Sequence, residues 1–182
     1  MPREIAALKG VKLPREGKVF MEDTLTPRVL VSQDPIPRML MLVDTGAADN
    51  LATWYWHQEA KRLMERRGVQ VLHLPVQKCF SFGGGHSVWS MGMAVYPMKL
   101  GGQLNYVGVH IMTHPQHQCP PLFGARTMAR MEVVLDTAHK RAYFAVKKGA
   151  ARQQLFQGSS PTPYIDVFGD VDHTEVQPWT PE

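Results

Sequence analysis

From Pro27 onward the chain is a succession of short apolar runs separated by glycine, proline and charge. Val29, Leu30 and Val31 precede a turn at Gln33-Asp34-Pro35, which Pro37 confines further, and Met39 to Val43 follow as a second run that stops at Asp44. The two runs read as a β-hairpin. Between Trp56 and Arg67 the period changes. Ala60, Leu63 and Met64 recur at helical spacing among Glu59, Lys61, Arg62, Glu65, Arg66 and Arg67, and Gly68 stands where a C-cap belongs, so one short amphipathic helix is expected. Strand-like segments then follow at Val69 to Leu74, Cys79 to Phe82, Val88 to Met98 and Tyr106 to Met112. Glycine turns at Gly83-Gly84-Gly85 and Gly101-Gly102 make them an antiparallel meander. His114 to Pro121 reads as a loop, Leu122-Phe123-Gly124 as a short strand and Thr127 to Met131 as a helical turn. Val133 to Leu135 and Ala142 to Val146 form a last hairpin around Thr137-Ala138-His139-Lys140.

The pattern predicts an all-β domain over residues 26–146. Residues 1–25 are charged, broken by Pro2, Gly10, Pro14 and Gly17, and without a sustained period, so they are expected to be a flexible arm. From Gly149 onward proline, serine, glutamine and acidic residues dominate, and residues 147–182 are expected to be a Pro-rich, acidic, mostly disordered tail. No repeat of solenoid period is visible.

Composition narrows the class. A chain of 182 residues suits one domain with tails, and 44% hydrophobic against 20% charged residues fits a soluble globular protein. The longest strongly apolar run, Met39 to Val43, is too short to span a bilayer, so no membrane partner is expected. The N-terminus mixes Arg3, Glu4, Lys9 and Lys12 without an apolar signal stretch. Two cysteines, Cys79 and Cys119, suit a reducing compartment, which makes the expected location cytoplasmic. The net charge of +4 is uneven: residues 1–152 hold 20 bases and 11 acids, while 153–182 hold Asp166, Asp170, Asp172, Glu175, Glu182 and no base. The bases are scattered with no aromatic-studded stripe, so nucleic acid is expected to bind only non-specifically.

The candidate chemistry sits at Asp44-Thr45-Gly46-Ala47. A carboxylate, a hydroxyl and a glycine at the end of a buried strand place an acid at an accessible loop, where Gly46 lets a ligand backbone approach without a Cβ in the way. The plain alternative is a turn-capping Asp. Gly83, Gly84 and Gly85 read as a flexible hairpin tip, and no helix opening with Lys-Ser or Lys-Thr follows to make a phosphate cradle. His110, His114, His117 and Cys119 carry zinc-type donors, but no second ligand pair stands at zinc-finger spacing; neither a metal nor another cofactor is expected. Asp136-Thr137-Ala138 lacks the glycine, follows Leu122-Phe123-Gly124 instead of preceding it, and leaves only 46 residues for a second lobe, so Asp136 is read as structural.

Four features stand in order: the strand into Asp44-Thr45-Gly46-Ala47, the glycine hairpin at 83–85 with its long returning strand, the Gly101-Gly102 turn, and Pro121-Leu122-Phe123-Gly124 leading to a helical turn and Val133-Val134-Leu135-Asp136. Together they resemble the retropepsins, the single-lobed aspartic proteases of retroviruses and especially of gypsy-type retrotransposons, over roughly residues 26–146. The helix at 56–67 is typical of the retrotransposon branch. The resemblance implies a closed barrel with a flap hairpin, one short helix and half an active site per chain. It implies an aspartic endopeptidase acting as a homodimer on a polyprotein. Two Asp44 carboxylates would share a proton and act as general base toward water and general acid toward the scissile amide. Thr45 would bond to the partner's loop, Ala47 and Gly83 to Gly85 would meet the peptide, and Leu122-Phe123-Gly124 would support the catalytic loop from behind. The family's Asp after Ala47 and its Arg after the apolar-apolar-Gly motif are here Ala48 and Ala125, with Asp49 and Arg126 one place further on as candidates for a shifted pair. The other reading is a catalytically silent dimerising or peptide-binding module.

Overall fold

The structure, a computed structural model, describes residues 17–19, 39–82, 85–112, 120–144, 151–157 and 161–176. Thirteen strands and two helices appear among them. The strands are β1 (Gly17–Val19), β2 (Leu40–Asp44), β3 (Leu51–Thr53), β4 (Leu72–Leu74), β5 (Cys79–Phe82), β6 (Ser87–Leu100), β7 (Gln103–Met112), β8 (Leu122–Gly124), β9 (Val133–Asp136), β10 (Arg141–Phe144), β11 (Ala151–Gln154), β12 (Phe156–Gln157) and β13 (Pro163–Asp166). The helices are α1 (Trp54–Arg66) and α2 (Ala125–Arg130). The described residues are thus predominantly β, as expected, and hold two short helices where one was expected. The helical turn read near Thr127 is a full α-helical segment that starts at Ala125.

Ten strands form one sheet in the order β1-β5-β6-β7-β3-β8-β2-β13-β12, with β4 on β6, and β11-β10-β9 form a second. The order is an open path, so the expected closed barrel is not formed among the described residues. Strand β2 lies deep inside the sheet and its alternation divides the core. Met39, Met41 and Val43 join Ala52, Trp56, Ala60, Leu63, Met64, Tyr96 and Phe123, while Leu40 and Leu42 join Ala47, Leu51, Phe80, Met112, Leu122 and Tyr164. The first set lies against α1, whose buried residues Trp56, His57, Ala60, Leu63 and Met64 make one stripe. Thr53 caps that helix by accepting from the Trp56 N–H at 3.4 Å. It ends at Gly68, whose φ of +73° is the left-handed conformation expected of a C-terminal glycine.

The β6–β7 hairpin turns through Gly101 and Gly102, at φ +56° and +74°, as the two-residue glycine loop predicts. The ladder is interrupted by a register shift between Ser90 and Gly92.

Two expectations need correction. Residues 17–19 of the supposed flexible arm form β1, which runs parallel to β5. Residues 29–31, read as the first limb of a hairpin, lie outside the described residues. Most of all, the supposed disordered tail is core. Strand β13 pairs antiparallel with β2, matching Ile165 with Met41, and Leu155, Tyr164, Ile165, Val167, Phe168 and Val171 are buried. The acidic residues there answer the basic body: Lys99 bonds Asp170 at 2.7 Å and Glu175 at 3.0 Å, and Arg67 donates to the Val171 carbonyl at 3.2 Å.

Candidate functional site

Asp44 ends β2 directly opposite Gly124 of β8, which runs parallel to it. The chain leaves β2 through Thr45 and Gly46 and comes back as β3 on the far side of β8, antiparallel, with Leu51 opposite Leu122. The loop therefore straddles β8. Asp44 is half-buried, Thr45 and Gly46 are exposed at the tip, and Ala47 is buried beneath. The Gly46 N–H donates to Asp44 Oδ1 at 2.8 Å, which closes a two-residue turn and holds the carboxylate in place. The junction of β8 and α2 supports the loop from below: Ala125 N–H donates to the Ala47 carbonyl at 2.8 Å and Arg126 N–H to the Ala48 carbonyl at 3.1 Å. Gly124 can only be glycine, since a Cβ there would lie 2.5 Å from the Asp49 backbone carbon and oxygen.

Two buried polar residues organise this platform. Asn50 accepts from Gly124 N–H at 2.9 Å and donates to the Gly108 carbonyl at 3.0 Å and to Thr127 Oγ1 at 2.7 Å, which uses the amide's donor and acceptor ends. Asp49 takes Arg126 at 3.1 Å, which is the shifted pair expected from the sequence, and also Lys78 at 2.5 Å. Nothing in the sequence marks Asn50 or Lys78; a polar residue beside a loop and a lysine in a short connection are ordinarily solvated. The one available signal for Asn50 is its position between buried Ala47 and the apolar pair Leu51-Ala52.

Strands β5 and β6 form the expected hairpin, with Ser81 opposite Ser87. Gly83 and Gly84 lie outside the described residues. Gly85 is exposed with φ +79°, has open space where a Cβ would sit, and donates to the Phe82 carbonyl at 3.0 Å. Phe80 is fully buried in the cluster that contains Ala47, Leu51 and Leu122, and Phe82 and Val88 pack against it. The hairpin and the underside of the Asp44 loop thus share one apolar cluster.

Among the zinc-type donors, His110 is buried with Nδ1 3.1 Å from Ser90 Oγ, and His114, His117 and Cys119 lie outside the described residues. Burial pushes the His110 imidazole down to about 4; nearby Asp49 opposes that shift and Lys78 adds to it. Asp136 ends β9 in the second sheet. It accepts from the His139 N–H at 3.1 Å and meets His139 Nδ1 at 2.8 Å, bonds that hold its carboxyl below the usual range. That suits the structural role expected for it.

A concavity of about 270 Å³ lies beside α1, lined by Trp54, His57, His73, Gly92 and Met93 among others, and none of the Asp44 loop contributes to it. His57 Nδ1 lies 2.5 Å from the buried Tyr96 hydroxyl, and desolvation, then the charges of His73 and Lys61, push this imidazole down to about 4. Among the described residues no helix is long and apolar enough to cross a membrane. Comparison of the chain with protein-family models, with curated proteins and with solved structures finds no match.

Proposed function

We propose that the chain is an aspartic endopeptidase of the retropepsin type, active as a homodimer in which each chain contributes one Asp44 carboxylate. One observation carries the reading: a half-buried carboxylate at the end of β2, where a loop that straddles β8 begins, fixed by the Gly46 N–H and braced from beneath by Gly124 and Asn50. Asp-Thr-Gly stands once in these 182 residues, and on this reading a second copy supplies the second carboxylate. Two carboxylates held close cannot both ionise easily; one proton is shared, and the pair titrates as a unit. The ionised member takes a proton from a water that attacks the scissile carbonyl, and the protonated member donates to the leaving amine. No covalent intermediate forms. Thr45, exposed beside Asp44, bonds to the partner loop, Gly46, also exposed, borders the peptide backbone, and the hairpin of β5 and β6 closes over it and excludes water. The substrate is a retroelement polyprotein in an intracellular setting.

Peptide hydrolysis in mildly acidic buffer tests this directly. Rate per chain should rise with protein concentration and then level off as dimers saturate, and Asp44→Asn should abolish it. Activity that survives Asp44→Asn removes the proposal, and a folded, dimeric, inactive wild-type chain leaves the silent peptide-binding module in its place.

A further inference from the structure

The hairpin formed by β5 and β6 is rooted on a buried charge. Lys78, immediately before β5, has a side chain only 3% exposed, and its Nζ lies 2.5 Å from Asp49 Oδ2, whose side chain is equally buried. Asp49 stands on the loop that carries Asp44, and its other oxygen takes Arg126 at 3.1 Å. The backbone of Lys78 is fixed to the opposite limb of the hairpin: its N–H donates to Ser90 Oγ at 3.0 Å, and Ser90 N–H donates to its carbonyl at 2.8 Å. The charge therefore sits at the start of β5, beside the register shift in β6. Replacing a buried ion pair by apolar side chains is often neutral or stabilising. Stability alone is a weak reason for a lysine here, and orientation is a better one.

We propose that Lys78 is a positioning residue: through Asp49 it locks the root of the hairpin, Cys79 and Phe80 with Val88 and Trp89 opposite them, to the loop bearing Asp44, so that the seating of the root and the carboxylate position are coupled. The inference rests on the protease reading of Asp44. Without the Lys78 charge, Asp49 keeps Arg126 and the loop keeps its support, while the hairpin root loses its ionic tie to the loop and keeps the apolar cluster around Phe80. Capture of peptide then suffers more than turnover.

The test uses the full chain with Lys78→Met, Asp49→Asn and the double variant, which removes both charges and so leaves no unpaired carboxylate. Amide hydrogen exchange over residues 79–89 should accelerate about tenfold or more in Lys78→Met, with α1 and β10 unchanged, and the double variant should be no worse than the worse single. In peptide hydrolysis KM should rise about tenfold in Lys78→Met with kcat within about threefold. Unchanged exchange over 79–89 overturns the lock. So does equal acceleration across α1 and β10, which marks a general loss of stability, or additive effects in the double variant. Because exchange is read without hydrolysis, residual activity in Asp44→Asn would remove the protease reading and leave the lock to be judged on exchange alone.

Discussion

Phe168→Ala decides whether the C-terminal segment belongs to the core. Phe168 is 0% exposed, and its ring lies 6.0 Å from Trp56 and 5.4 Å from Tyr96, between the helix and the long hairpin. Truncating a packed aromatic costs about 3–5 kcal/mol, because the cavity closes only in part. The same change in an exposed tail stays within about 0.5 kcal/mol. With a urea dependence of about 2 kcal/mol per molar for a chain of this size, the midpoint should fall by roughly 1.5–2.5 M. Urea unfolding followed by tryptophan fluorescence reads it, since Trp56 itself borders the vacated space. Phe168→Leu should recover most of the loss. A midpoint shift below about 0.3 M for Phe168→Ala, which is near the exposed-site figure, would refute the placement of this segment in the core. A chain already unfolded without denaturant is the same outcome in stronger form, because total stabilities are only about 5–15 kcal/mol.

Gly124→Ala would put a Cβ 2.5 Å from the Asp49 backbone, so the loop must move. We expect about 1–3 kcal/mol of destabilisation and, on the protease reading, about a hundredfold loss of kcat/KM, with unchanged hydrolysis counting against the site. Acid should weaken the fold through His57 and His110, whose imidazoles are held down to about 4 by burial. Their folded values lie below the unfolded value, so the stabilisation is complete above about pH 6.5 and drains as pH falls toward 4. The loss is on the order of 2 kcal/mol per ring by about pH 4.5, seen as a falling urea midpoint. A midpoint that is flat across that range, or equally steep in His57→Leu, would contradict it.

Elements with a local signature were legible in the sequence, and those defined by distant partners were not. The apolar run into Asp44, the Ala60-Leu63-Met64 stripe with Gly68 after it, and the Gly101-Gly102 turn each advertise themselves within a few residues, and the structure has them where expected. Asp49 and Arg126 were legible because they stand one place from a recognisable spacing, and they do pair. Strand β13 hid because it has four residues, opens with Pro163, and earns its place only against Leu40, Met41 and Leu42 more than a hundred positions earlier. The acids around it look like a solvated tail until Lys99 and Arg67 are seen to face them. Lys78 was illegible for a related reason: a lysine declares its charge in sequence but not the carboxylate that allows it to be buried.

The neighbours of β2 also set a schedule. Its partners are β8, at residues 122–124, and β13, at residues 163–166, so a nascent chain that has exposed only its first hundred residues offers β2 neither neighbour. Pairings this far apart in sequence close late and slowly. The strand that carries Asp44 is made well before either strand that secures it, so the acid loop forms only once β13 has emerged. On the protease reading of Asp44 the delay would act as a timer, with cleavage waiting until the chain has been made through β13.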